Sequence, residues 1–539
     1  MPKLFVFAIG GTGERVLRSL TMVLASGAPA FNNHEVFPII IDYDKDNADK
    51  VRTVELLQNY ASVHNAAFSA HGGDLGGHGE ADQFFAPKLT KLTGLDNYVF
   101  PFQSAQPNLT FRQHIGYDSL SGDTFDTAKL LTSLYDESNR PDTELNLNMD
   151  VGFKGNPNIG SVVFHTIGST DEFNAFTTRF QPDANDKVVI IGSLFGGTGA
   201  SGIPEIVKAI NAKHPHAQIA TVLVLPYFHP MEQKNGAIQA SRFNSKTKAA
   251  LSFYQDSGIM GKISKIYYVG DPYPTIIPYC DGGQGQKNTA NLVELIAAMM
   301  IEHYVSGRDK GQKEFKFSLD ANIVIKQGVK NGQRLFVYDF DDVTVNRVLN
   351  YLIQLAIGLK CFKDEIGSKK AASRDFFKYL KLDEAIQKVD VVADGEANPL
   401  RDLCKALDEF HEKFQTWMEE LDFAGNGESI PANSHRFALC DMNRSYQDLV
   451  LKEAEKADDN DTGALNHLKR IIFSRSNREN LNADFLLTRM NIQIKDDGKG
   501  NGHYDTTKND LRTGHEPEWV FMDILHAASS DGFKELTRD

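Results

Sequence analysis

The stretch VVIIGSLFGGTGASGIPEIVKAI, residues 188–210, decides the fold class of this 539-residue chain. Apolar, mostly β-branched residues lead into a glycine-rich turn, and residues at helical spacing follow. The glycines match neither G-x-G-x-x-G nor G-x-x-x-x-G-K-[ST], and no lysine follows them as in the second motif. The stretch therefore predicts a strand, an anion-binding loop and a helix, without naming the anion.

A second unit of the same kind opens the chain. KLFVFAIGGTGERVLRSLTMVLA, residues 3–25, predicts a strand, a glycine turn and a helix, and EVFPIIIDYDKDN, residues 35–47, predicts a second buried strand. Continuous apolar runs suit strands that are covered on both faces, as in parallel sheets. We therefore predict an α/β fold with a Rossmann-like parallel sheet.

The remaining pattern divides the chain into two predicted domains. Residues 1–306 are predicted as one α/β domain, with an insertion at about residues 85–185, and residues 307–539 as an α+β to mainly helical C-terminal domain. Residues 161–168 and 219–230 predict further strands, while residues 288–307 predict a buried central helix because their apolar residues surround most of the cylinder.

Composition limits the class of protein. The chain is 41% hydrophobic and 24% charged, which is typical of globular proteins, and its net charge of −14 disfavours general nucleic-acid binding. The four widely spaced cysteines are typical of thiols in a reducing compartment. We find no signal-peptide pattern and no apolar run of about 18 residues, so we expect a cytoplasmic protein without a membrane span.

The two glycine loops carry the predicted chemistry. Glycine permits close backbone approach, and a helix N-terminus directs free N–H groups towards an anion. Two such loops in one sheet predict a polyphosphate held from two sides, although glycines also serve strand–helix packing. The candidate binding residues are Gly10, Gly11, Thr12, Gly13, Gly196, Gly197, Thr198, Gly199 and Ser201.

Asp42 and Asp44 follow the second predicted strand. Ligands of α/β sheets lie outside the carboxyl ends of the strands, so these carboxylates are placed to meet ribose hydroxyls, Mg²⁺ or a bound water. The alternative is that they are ordinary turn residues at a strand end. A Gly-rich loop at residues 69–80 offers His71 and His78 as metal ligands, and a solvated loop explains it equally well.

The order of these elements resembles the tubulin/FtsZ superfamily, and within it the bacterial "tubulin-like" proteins. The family's signature loop is G-G-G-T-G-[ST]-G, and FGGTGASG differs from it by Phe195 in place of the first glycine and by Ala200 before Ser201. The next strand of the family ends in a proline–aromatic pair, as Pro226 and Tyr227 do here. The resemblance covers roughly residues 1–306.

The resemblance implies a GTP or GDP site, with Mg²⁺ as a possible companion. Asparagines near the start of the family's central helix read the guanine base, which implies that role for Asn288 and Asn291. It places Glu232 or Arg242 near the ribose. It also implies a γ-phosphate loop formed by Gly72, Gly73, Gly76 and Gly77.

Hydrolysis in this family uses carboxylates that one subunit supplies to the nucleotide of the next. VYDFDDV, residues 337–343, resembles that motif and implies catalytic roles for Asp339 and Asp342, with Val337 replacing the family's asparagine. About 30 residues separate this stretch from the predicted central helix, and Asp309 lies closer. The alternative is a strand that enters the second domain with acidic residues at its edge.

Three functions follow as hypotheses. The first is a GTP-binding protein that self-assembles head to tail into filaments, with hydrolysis dependent on assembly. The second is a nucleotide-liganded structural or adaptor protein that meets other proteins through its acidic C-terminal half. The third is a Rossmann-type NAD(P) enzyme, for which GGTGER lacks the fingerprint spacing.

Overall fold

The fold is described from a computed structural model. It describes residues 1–44, 46–68, 83–101, 109–120, 126, 130, 144–149, 152–231, 238, 240–272, 274–280, 282–308, 310–318, 334–386, 398–422, 436–446, 449, 481–492, 494–496, 502–504 and 517–537.

A parallel sheet of seven strands forms the centre of the molecule. The strands of the described residues are β1 (Lys3–Ile9), β2 (Glu35–Ile41), β3 (Lys88–Leu89), β4 (Lys187–Ser193), β5 (Ile219–Val224), β6 (Phe228–Pro230), β7 (Lys265–Gly270), β8 (Thr275–Ile277), β9 (Glu314–Ser318), β10 (Arg334–Phe336), β11 (Arg436–Ala438), β12 (Ile494–Asp496) and β13 (Gly502–Tyr504). The order in the central sheet is β3-β2-β1-β4-β5-β7-β9, and each neighbouring pair is parallel. This is the doubly wound α/β arrangement that the sequence predicts in outline.

Helices cover both faces of this sheet. The helices of the described residues are α1 (Gly10–Ala25), α2 (Ala48–Phe68), α3 (Phe111–His114), α4 (Pro157–Phe164), α5 (Asp171–Arg179), α6 (Thr198–Lys213), α7 (Phe243–Asp256), α8 (Leu292–Val305), α9 (Asp342–Thr344), α10 (Asn350–Cys361), α11 (Asp375–Tyr379), α12 (Leu382–Ala385), α13 (Pro399–Leu421), α14 (Ala483–Ile492) and α15 (Pro517–Thr537). Within the described ranges, no helix combines the length and the hydrophobicity needed to cross a membrane.

Strand β1 shows why the sheet needs cover on both sides. Leu4, Val6 and Ala8 belong to one buried cluster, with α1, α2 and α8, whereas the alternate residues belong to a second cluster, with α4, α5, α6 and α7. Because side chains alternate across a strand, each run of apolar residues fills two cores at once.

Helix α8 is the predicted central helix. It is buried along almost its whole length, and Asn291 caps its N-terminus by accepting a hydrogen bond from the backbone N–H of Val293. The prediction of a buried helix here is confirmed.

The C-terminal helices pack on the same face as α1 and α2 and share their hydrophobic cluster. In helix α13, Trp417 donates to the Ser19 hydroxyl at 3.2 Å, and Phe410 packs edge-on against Phe85 with ring centroids 4.7 Å apart. The sheet also takes its last strand, β9, from beyond the predicted boundary at residue 306.

One predicted strand is wrong. Residues 161–168 do not form a strand, because α4 occupies Pro157–Phe164 and a 3₁₀ turn follows at Ile167–Ser169. Short runs of β-branched and aromatic residues fit either a strand or a buried helix by periodicity alone. Here Pro157 starts the helix, and its buried face packs against α6.

Candidate functional site

The candidate site lies at the point where the sheet reverses its winding. Strands β1 and β4 are neighbours, and the helices that follow them, α1 and α6, cover opposite faces of the sheet. Ligands of doubly wound sheets bind in the crevice that this reversal opens at the carboxyl ends of the strands. The two glycine loops meet there, since a Cβ on Gly10 would lie 3.1 Å from the Thr198 Cβ.

A cleft occupies this crevice, with an empty volume of about 910 Å³ measured out to its open mouth. Many of the residues predicted from sequence line this one cleft: Gly10, Gly11, Thr12, Asp42, Asp44, Gly196, Gly197, Thr198, Gly199 and Asn288.

The glycines divide into two groups by what surrounds them. Gly10 has a φ of +68°, in the left-handed region, where the chain turns from β1 into α1. A Cβ on Gly11 would meet the end of the flexible Gln286 side chain. A Cβ on Gly13, by contrast, would lie 2.8 Å from the Ala8 carbonyl carbon. Gly11 therefore faces the cleft, whereas Gly13 permits close packing of α1 on the sheet.

The acidic end of β2 forms one side of the cleft. Asp42 accepts hydrogen bonds from the Asp44 backbone N–H at 3.2 Å and from the Asn47 amide at 3.2 Å. Asp44 accepts from the backbone N–H of Gly283 at 2.6 Å. Burial, which outweighs the nearby Lys50 ammonium, raises the pKa of Asp42 from 3.8 to about 6.

Glu14 lies buried near this acidic end, after the first turn of α1. Neither of its carboxyl oxygens has a hydrogen-bond partner in the described part of the chain. Burial, reinforced by the Asp42 carboxylate, raises the pKa of Glu14 well above its usual range. Burial therefore favours the protonated form of the Glu14 carboxyl group over its carboxylate.

Arg15 organises the floor of the cleft. Its guanidinium donates to Glu294 at 2.6 Å, to Asp49 at 2.9 Å and to the Tyr227 hydroxyl at 2.8 Å. The Tyr227 hydroxyl in turn donates to Glu294 at 2.6 Å. All four side chains are buried, so this network fixes the start of α1 against the start of α8. Sequence reasoning missed Arg15, although it follows directly in GGTGER.

Asn288 is held in place by Asp49. Its backbone N–H and its side-chain amide both donate to that carboxylate, at 3.1 and 2.9 Å. Arg52 donates to the Asn288 carbonyl oxygen and, at 2.7 Å, to Glu420 of helix α13. Because its amide N–H is engaged, Asn288 offers its carboxamide oxygen as an acceptor.

Aromatic side chains form another wall, which the sequence did not predict. Phe195 packs against Phe243, with ring centroids 4.8 Å apart, and against Phe228 at 5.4 Å. Phe195 is itself buried. Phe195, which directly precedes the glycines of the second loop, therefore lies in an aromatic cluster.

The remaining wall comes from residues 152–155, within the predicted insertion. A Cβ on Gly197 would lie 2.9 Å from the Phe153 Cβ and 3.0 Å from the Asn156 backbone nitrogen. This segment therefore packs directly on the second glycine loop. No sequence motif indicates this contact, because tertiary packing brings residues 152–155 to the cleft.

Several predicted site residues lie outside the cleft. The Ser201 hydroxyl of α6 donates to the carbonyl oxygen of Gly197, the residue before the helix, at 2.7 Å, and Asn291 caps α8. Arg242 is exposed at the start of α7. The other predicted residues Glu232, Asp309, His71, His78, Gly72, Gly73, Gly76 and Gly77 lie outside the described residues.

The candidate catalytic residues are near β10. Asp339 is 8% exposed, and its carboxylate accepts a hydrogen bond from the Phe336 backbone N–H at 2.8 Å. Asp342 begins the short helix α9. Asp339 does not line the cleft of its own chain.

In the described ranges, no group of three or more His, Cys, Asp or Glu side chains is arranged to hold a metal ion.

Comparison of the sequence with protein-family models and with curated proteins finds no match to either. The fold and the cleft therefore define the class on their own: an α/β protein with a doubly wound parallel sheet and a crevice at its switch point.

Proposed function

We propose that the cleft binds the phosphate chain of a guanine nucleotide, as the resemblance to the tubulin/FtsZ superfamily implies. The observation that carries this proposal is the meeting of two glycine loops at the switch point, each at the start of a helix on opposite faces of the sheet. Helix N-termini supply free N–H groups and a positive dipole end, which favour a polyanion between them.

In this proposal, different lining residues contact the phosphate oxygens and the accompanying cation. Backbone N–H groups of Gly10, Gly11 and Gly197 and the hydroxyls of Thr12 and Thr198 are the donors for phosphate oxygens. A Mg²⁺ ion would neutralise part of the phosphate charge, and the carboxylates at the end of β2 fit its preference for oxygen ligands.

Asn288 supports guanine as the base. Guanine presents N1–H and N2–H₂ as adjacent donors, and the Asn288 carboxamide oxygen is the matching acceptor. Asp49 holds that amide in one orientation through its N–H group. An amide whose position is fixed by a buried carboxylate is well suited to discriminate between bases.

Head-to-tail self-assembly is the finer part of the proposal and rests on the resemblance. In this conformation Asp339 is buried and bonded within its own turn, whereas a carboxylate that acts on a neighbouring subunit must reach the surface. Assembly-dependent hydrolysis by Asp339 and Asp342 therefore stays a prediction, and the structural or adaptor role without turnover stays the alternative.

The proposal is tested by denaturing the purified protein and identifying the released nucleotide by chromatography. We expect GTP or GDP in the parent protein and in a Thr178→Ala control, whose hydroxyl lies on an exposed helix face. Thr198→Ala should lower the nucleotide content with little effect on the thermal unfolding midpoint. Release of a nicotinamide nucleotide, or unchanged occupancy in Thr198→Ala, would contradict the proposal.

A further inference from the structure

The segment GFKGN, residues 152–156, lies across the phosphate end of the cleft. A Cβ on Gly152 would lie 3.9 Å from both the Asp44 Cβ and the Thr198 hydroxyl oxygen. The segment therefore spans from the end of β2 to the second glycine loop. Lys246 anchors it by donating to the Gly155 carbonyl oxygen at 2.6 Å.

Lys154 has an unusual backbone within this segment. Its φ is +44°, in the left-handed region that side chains with a Cβ rarely adopt. Such conformations are energetically costly and persist where the surrounding structure holds them in place, often at ligand sites. A glycine would suit this position better, which makes the presence of a lysine informative.

The charges around the cleft point to a role for that lysine. Two cationic residues are among those that line the cleft in the described part of the chain, Arg15 and Lys154. Arg15 is fully engaged with Glu294 and Asp49. Lys154 is half-buried and its ammonium has neither an ion pair nor a hydrogen bond among the described residues. A polyanion in the cleft would therefore find one uncommitted cation.

We propose that Lys154 binds the phosphate chain of the ligand and supplies the positive charge that neither glycine loop carries. This inference rests on the proposed function. A lysine ammonium acts on phosphate as a compact charge with three donors. In the P-loop motif the lysine follows the glycines in sequence, whereas here a separate segment brings it to the second glycine loop.

The test replaces Lys154 by glycine, which removes the ammonium and relieves the backbone. The matched control is Lys310→Gly, because Lys310 also has a φ of +44° but is exposed and precedes β9, at the amino edge of the sheet opposite the cleft. Binding of GTP, GDP and guanosine to nucleotide-free protein is measured by titration calorimetry. Hydrogen bonds to charged groups imply that Lys154→Gly weakens GTP and GDP binding by about 10- to 100-fold. Guanosine binding should not change, and Lys310→Gly should match the parent for all three ligands.

The outcomes separate the two proposals. If the parent protein binds none of the three ligands, the proposed function fails. If the parent binds GTP and Lys154→Gly binds it within twofold of the parent, the function stands and the role of Lys154 is overturned. An equal loss of guanosine and GTP affinity would also overturn it. Guanosine has no phosphate, so the loss of a contact with phosphate cannot weaken its binding.

Discussion

Replacing Asp42 by asparagine tests the electrostatics at the end of β2. Asp42 is buried and its pKa is raised from 3.8 to about 6. Between these two pH values the unfolded chain has released a proton that the folded protein still holds. The free energy of unfolding of the parent therefore falls as the pH rises through this window, and this contribution is constant above about pH 7.

The magnitude follows from the size of the shift. A difference of one in pKa between the folded and unfolded states corresponds to about 1.4 kcal/mol. The rise from 3.8 to about 6 therefore lowers the free energy of unfolding of the parent by about 3 kcal/mol at neutral pH. An asparagine has no proton to lose. We expect the free energy of unfolding of Asp42→Asn, relative to the parent, to increase by about 2.5 kcal/mol between pH 4 and pH 7.5, because the unfolded carboxyl group is already partly ionised at pH 4.

Urea unfolding without nucleotide or Mg²⁺, followed by tryptophan fluorescence, measures this difference. Trp417 is buried against α1 and serves as the probe. The comparison across pH removes any constant penalty from placing an asparagine amide opposite the Asn47 amide. The same pair of proteins in a Glu14→Gln background separates Asp42 from its buried carboxyl neighbour. A stability difference that stays the same within about 1 kcal/mol at both pH values would refute the reasoning.

Three further predictions concern packing and the buried network. Arg15→Met should lower the free energy of unfolding by about 3–5 kcal/mol, because it removes the buried guanidinium that pairs with the Glu294 and Asp49 carboxylates and leaves Glu294 without an ion pair in the described residues. Arg444→Met, which removes an exposed ion pair, should change it by less than about 1 kcal/mol, and urea unfolding compares the two variants. Gly13→Ala should lower the free energy of urea unfolding by about 1–3 kcal/mol, because its Cβ would meet the backbone of β1. Gly11→Ala should keep the stability of the parent and lose nucleotide affinity. Equal losses of stability in the two variants would contradict the assignment of Gly11 to the cleft and Gly13 to packing. Phe195→Ala should cost about 3–5 kcal/mol in thermal or urea unfolding and should not tighten nucleotide binding; tighter binding would mean that the ring obstructs the ligand.

The sequence predicted the parts of the fold that depend on local pattern. Strands β1 and β4 each run into a glycine turn and a helix, and this order along the chain shows in the spacing of apolar residues. Because parallel strands end at the same edge, the sequence also predicted that Gly10, Thr198 and Asp42 would lie together, as they do. The predicted strand at residues 161–168 is wrong, because β-branched residues also fit a buried helix.

The rest of the site depends on contacts between distant segments. Lys154 reaches the cleft because residues 152–156 pack on Gly197, and no motif spacing encodes that contact. The pattern of the sequence indicates the Ser201 hydroxyl as a phosphate donor, but in the structure it donates to the carbonyl oxygen of Gly197, the residue before α6. Asn291 likewise caps α8, and only Asn288 of the predicted pair lines the cleft.

Glu420 of helix α13 limits how the chain can be dissected. Its carboxylate accepts hydrogen bonds from Arg52, Arg18 and the backbone N–H of Ala290 at 2.7, 3.1 and 2.8 Å. Truncation before α13 would leave two largely buried arginines without this carboxylate and would expose the apolar faces of α1 and α2. We therefore expect that the parallel sheet does not fold stably without the C-terminal helices, and that biochemical work on the cleft requires a chain that retains them.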